Sequence, residues 1–107
     1  MNDERYAKER AEAKNRNGMG RRAIEQDLLR KGVPQTLISE TLTLISEKDE
    51  YATARAFALK WLHSCRNLEK DAAYRRIAGM LARRGFPPNI VYEITNETLA
   101  NHTPTPK

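Results

Sequence analysis

Cysteine is almost missing from this chain. Its one residue, Cys65, excludes an internal disulfide and fits a reducing compartment. Long apolar runs are missing too. Mean hydropathy is −0.76, and every uncharged stretch falls far short of the roughly 20 apolar residues a membrane span needs. Met1 is followed by Asn2, Asp3 and Glu4 with no apolar segment, so no secretory leader is visible and a cytoplasmic protein is expected. There are 5 glycines and 5 prolines, and Pro104 and Pro106 sit at the very end, so little sequence remains for long loops.

Reactive constellations are equally scarce. His63 and Cys65 stand two apart, which on one helix points them to different sides, and His102 lies near the C-terminus. No glycine-rich phosphate loop, zinc-protease pair or cysteine-pair spacing is present. The expectation is therefore a binding protein rather than an enzyme. It has no catalytic or metal residues, no cofactor, no small-molecule substrate and no membrane partner. Cys65 reads as a buried apolar thiol and His63 as a surface residue.

What the chain does have is a repeat. Leu28-Leu29-Arg30-Lys31-Gly32-Val33-Pro34 returns 53 positions later as Leu81-Ala82-Arg83-Arg84-Gly85-Phe86-Pro87. The match extends outward: Ile24 falls on Ile77, Leu37 on Ile90 and Ile38 on Val91. Ile24 and Leu28, like Ile77 and Leu81, are four apart and share a helix face. Cations fill the last turn, where they suit the negative end of the dipole. Gly32 and Gly85 then stand where a left-handed residue ends a helix, with Val33 and Phe86 free to fold back on Leu28 and Leu81. Pro34 and Pro87 cannot extend the first helix but can open the next.

Taken in order, the chain reads as all-α, an elongated pair of tandem three-helix repeats with helix-turn-helix-like units. Residues 1–46 form one unit, 47–100 the other, and 101–107 a disordered tail. The first helix, about residues 3–17, has a thin apolar face of Tyr6, Ala7, Ala11 and Ala13. It is expected to add little core, or to lack an upstream partner and leave Tyr6, Ala7 and Ala11 exposed or covered by another copy. The second helix runs about 21–31 and the third about 34–46, with Leu37, Ile38, Leu42 and Ile45 inward. A charged joint, Glu47 to Glu50, precedes the fourth helix at about 50–65. Its stripe of Ala54, Phe57, Ala58, Trp61, Leu62 and Cys65 faces the core, and Phe57 and Trp61 are expected to contribute most burial. The fifth runs about 71–84 and the sixth about 88–99.

Charge is unevenly placed. Residues 1–33 carry 9 Lys or Arg against 6 Asp or Glu, and 55–86 carry 8 against 2, whereas 34–54 carry 1 against 4. With a net charge of +5, this points to an anionic partner. The candidate partner- or DNA-binding residues are Arg75, Arg76, Arg83 and Arg84, with Arg21, Arg22, Arg30 and Lys31 as the equivalent set in the first unit. Arginine predominates among the cations, which suits bidentate contact with phosphate or carboxylate. Sequence-specific DNA reading is not expected. The would-be recognition helix, residues 35–43, has no Lys or Arg and carries Glu40, and the helix-crossing position four before each glycine holds Leu28 or Leu81.

These residues resemble the RecX family, modulators of the RecA recombinase. The resemblance is carried by Asp3-Glu4-Arg5-Tyr6-Ala7, Gly18 and Gly20, Ile24, Leu28 and Lys31-Gly32-Val33. In the second half it is carried by Arg76-Ile77, Leu81, Arg83-Arg84-Gly85-Phe86 and Ile90. It spans about residues 3–99 and corresponds to the second and third of three family repeats. It implies a non-enzymatic protein that lodges in the groove of the RecA–single-stranded DNA filament. There it would inhibit ATP hydrolysis, strand exchange and co-protease activity. The alternative is a sequence-nonspecific nucleic-acid-binding helical domain.

Overall fold

The computed structural model describes residues 3–104. The expected tail therefore extends past the described residues at 105–107, as does the start of the chain at Met1 and Asn2. Six α-helices follow in order: α1 (Asp3–Arg16), α2 (Arg21–Arg30), α3 (Gln35–Thr43), α4 (Glu47–Leu62), α5 (Lys70–Arg83) and α6 (Pro88–Leu99). A 3-10 turn at His63–Cys65 extends α4, and no strand occurs among the described residues. The helices make an elongated body of 56 × 21 × 17 Å. Helices α1–α3 enclose one core and α4–α6 another, so the chain is two triads end to end.

Each triad turns on the same local device. Gly32 (φ +80°) and Gly85 (φ +89°) are left-handed. Val33 N–H donates to the Leu28 carbonyl and Gly32 N–H to Leu29, at 3.1 and 3.0 Å. Phe86 and Gly85 do the same to Leu81 and Ala82, at 3.3 and 3.0 Å. This double bond pattern satisfies the carbonyls a helix end leaves open. A third copy closes α1, where Gly18 is left-handed and Met19 N–H reaches the Lys14 carbonyl. Ser46 starts α4 by accepting from Asp49 N–H at 3.0 Å, so the helix begins three residues earlier than its apolar stripe suggests. The carboxylates of Glu47, Asp49 and Glu50 then occupy its first turn.

Two expectations about packing are corrected. Ala7 and Ala11 are buried, at 0% and 1% exposure, against Ile24, Leu28 and Ile38. A face of alanines admits close approach of α2 and α3, so α1 is a core element in spite of lacking large side chains; Tyr6 alone stays exposed. Phe57 and Trp61 are only half-buried. The fully buried large side chains are Ile24, Leu28, Ile38, Ile77, Leu81, Ile90, Ile94 and Leu99. Trp61 packs against the second core, and Phe57 lies against Gly18, where the triads meet. Past α6, the half-buried His102 ring nitrogen sits 2.8 Å from the Leu68 carbonyl.

Candidate functional site

The meeting of the triads decides which arginines are available. Helix α2 opens awkwardly. Its N-cap is Gly20, which has no capping side chain, and its first turn holds Arg21 and Arg22 but no acid, so two cations face the positive end of the dipole. The second triad supplies what is missing. Gly20 N–H donates to the Arg84 carbonyl at 2.6 Å and Arg22 N–H to the Gly85 carbonyl at 3.0 Å. Arg21 N–H donates to Glu50 Oε2 at 2.8 Å. The carbonyl end of α5 thus meets the amide end of α2, and a buried carboxylate caps it from α4.

The approach is close enough to require glycine. A Cβ at Gly20 would lie 2.4 Å from the Phe86 nitrogen, and one at Gly85 would lie 2.4 Å from the Ala23 nitrogen. A Cβ at Gly18 would fall 2.5 Å from the Phe57 ring. Phe57 and Trp61 pack at 5.7 Å between centroids. The Arg84 guanidinium lies over both, 5.6 and 5.9 Å from their centroids, and reaches the Asn17 carbonyl at 3.4 Å.

The eight candidate residues therefore fall into three groups. Arg21 is held at the joint, donating to the Ile45 carbonyl at 2.6 Å with Nε 4.0 Å from Glu50; Arg84 is held there too, over the aromatics. Arg30 is exposed but lies 3.9 Å from Asp27 Oδ1. Arg22, Lys31, Arg75, Arg76 and Arg83 are exposed and make no ion pair among the described residues. On α5, Arg83 folds back so that its guanidinium covers Gly79, where an added Cβ would touch it at 3.4 Å. Arg76 and Arg83 are seven apart on this helix and share a stripe. The acids at the α5 N-terminus, Glu69 at the cap and Asp71 in the first turn, form no ion pair with these arginines among the described residues.

The acidic side chains that matter are internal, and a reading by charge alone overlooks them. Asp27 is buried and takes two hydrogen bonds from Arg10, at 2.5 and 3.0 Å, tying α1 to α2. That pairing holds the Asp27 carboxyl below the usual range, against the opposing effect of burial, with smaller help from Lys14 and Arg30. The same contact raises the Arg10 guanidinium. On the far side, Arg55 and Glu97 join α4 to α6 at 2.8 Å. The spacing of Asp27 after Ile24 marks a position flanking the core, the one signal that could have pointed to it.

Two family models match the chain: the RecX second three-helix domain over residues 2–42 and the RecX third three-helix domain over 48–95. Curated relatives agree. The chain is 32% identical over 100 residues to a regulatory protein RecX of Streptomyces coelicolor, covering 92% of this chain and 53% of that protein. It is 35% identical over 105 residues to that of Corynebacterium efficiens, covering 92% and 50%. To that of Clostridioides difficile it is 27% identical over 85 residues, covering 79% and 40%. The chain spans about half the length of the curated relatives it matches. No solved structure matches it. No helix among the described residues is long and apolar enough to cross a membrane.

Proposed function

The chain belongs to the RecX family of regulatory proteins, and from that premise we propose that it binds the RecA–single-stranded DNA filament and inhibits the recombinase without catalysing a reaction. ATP hydrolysis, strand exchange and co-protease activity are the outputs it would lower. The observation that carries the reading is the exposed arginine stripe of α5. Arg75, Arg76 and Arg83 have no carboxylate partner among the described residues, on a body 56 Å long and about 20 Å across that suits an extended groove. Arg22 and Lys31 extend the cationic surface onto the first triad. Arg21 and Arg84 serve the joint and act by holding the two units in line. The division at residues 46 and 47 into two repeats, and a cytoplasmic location, belong to the same reading.

The double variant Arg76→Gln/Arg83→Gln tests it. Exposed charges add little to stability, so the thermal midpoint should stay put. Filament binding should weaken at least about ten-fold, about 1.4 kcal/mol, and lose part of its salt dependence. A double variant that inhibits RecA ATP hydrolysis as well as the parent would show this face to be solvated surface only. The same unpaired arginines also suit phosphates, which supports a second reading as a sequence-nonspecific nucleic-acid-binding domain. Free single-stranded DNA that binds as tightly as the filament would favour it.

A further inference from the structure

Beside the joint the second triad carries a cleft to which the first contributes Arg22. It has a volume of about 330 Å³, and its walls include Arg22, Tyr74, Phe86, Pro88, Val91 and Tyr92. Most of its walls are apolar, and Tyr92 stands 65% exposed beside it. The positions 53 residues earlier hold Arg21, Val33, Gln35, Ile38 and Ser39 in place of Tyr74, Phe86, Pro88, Val91 and Tyr92. The first triad has no aromatic at any of them. The tyrosines are thus an addition to the second unit beyond what the shared fold needs. An exposed tyrosine and an arginine around an apolar recess are the side chains that dominate protein interfaces.

Resting on the reading of this chain as a filament-binding regulator, we propose that this cleft is a docking pocket for a protein segment presenting an apolar side chain next to a carboxylate. The apolar group enters between Tyr74, Val91 and Tyr92, and the carboxylate meets Arg22. Charge selects the partner. Arg22 is the one charged residue lining the cleft, it makes no ion pair among the described residues, and no carboxylate lines the walls. A single-stranded nucleic-acid groove would instead need a succession of cations along its length.

The test uses the full chain with Tyr92→Ala and Arg22→Glu, one at a time. Tyr92 is exposed, and an acid in the first turn of α2 suits the dipole, so neither change threatens folding. Each variant should bind the RecA–single-stranded DNA filament about ten-fold or more weakly, with free single-stranded DNA binding unaltered by Tyr92→Ala. Unchanged filament binding in both variants, or a loss confined to single-stranded DNA in Tyr92→Ala, overturns the pocket. A parent chain that does not bind the filament defeats the functional reading but leaves the pocket testable. In that case a short synthetic peptide with Leu-Asp at its centre is titrated against the chain, with Leu-Lys and Ala-Asp controls, following the Tyr92 ring by NMR. Binding of Leu-Asp alone, lost in both variants, supports the pocket; no binding, or equal binding of the controls, ends it.

Discussion

The turns at Gly32 and Gly85 share one local structure and live in different surroundings. Both are left-handed, both carry the same pair of backbone hydrogen bonds, and both stand four residues after a buried leucine. A side chain at Gly32 would meet nothing within 4 Å, whereas one at Gly85 would strike the backbone of Ala23. The first turn is open surface. The second is the joint, where its carbonyls cap α2. Its hydrophobic follower also differs, a Val33 at 8% exposure against a Phe86 at 2%. A helix stop is a local event, while its worth depends on what the rest of the chain brings against it.

The largest effect should come from Phe86. Truncation to alanine at this buried position should cost about 3–5 kcal/mol, measured by denaturant unfolding. The equivalent Val33→Ala removes fewer atoms from a less enclosed site and should cost visibly less. A loss below about 0.5 kcal/mol for Phe86→Ala would mean the ring does not hold the turn, since even one buried methylene is worth about that much or more.

The glycines sharpen the contrast. Gly32→Ala meets only backbone strain, about 1–2 kcal/mol. Gly85→Ala meets the same strain plus a collision with fixed backbone, adding about 1–3 kcal/mol for overpacking. Equal costs in the two variants would break the distinction between an open and a docked turn.

A smaller effect separates the triads by pH. The position 53 residues after Asp27 holds Met80, so the second unit has no carboxylate at the matching place, and its buried Glu50 serves the joint instead. The folded pKa of Asp27 is lowered, so its stabilisation is present above the unfolded carboxylate value, about 3.9. It is lost as pH falls through that value and then through the lower folded one, because there the unfolded chain binds the extra proton. Hydrogen exchange below about pH 4 should therefore show α1 and α2 opening before α5 and α6. Asp27→Asn should remove that difference. Simultaneous opening of both triads in the parent would show that the Arg10–Asp27 pair does not govern acid stability.

Much of the helical frame is legible in the chain itself. The four-residue spacing of Ile24 with Leu28 and of Ile77 with Leu81, the glycines at 18, 32 and 85, and the prolines that follow two of them act over a few residues. They carry their conformational preference wherever the chain goes. The availability of the arginines is not of that kind. Arg21 and Arg76 look alike as exposed cations of a repeated helix, yet Arg21 is drawn to Glu50 and the Ile45 carbonyl, 29 and 24 positions away. Ala7 and Ala11 look too small to matter until α2 and α3 close over them. Phe57 looks like core until Gly18 and Arg84 arrive to make it part of the joint. In each case the backbone shape and the helix face of a residue follow from its near neighbours in the chain. What lies opposite is set by the packed fold, because burial and pairing depend on the fit of surfaces far apart along the chain.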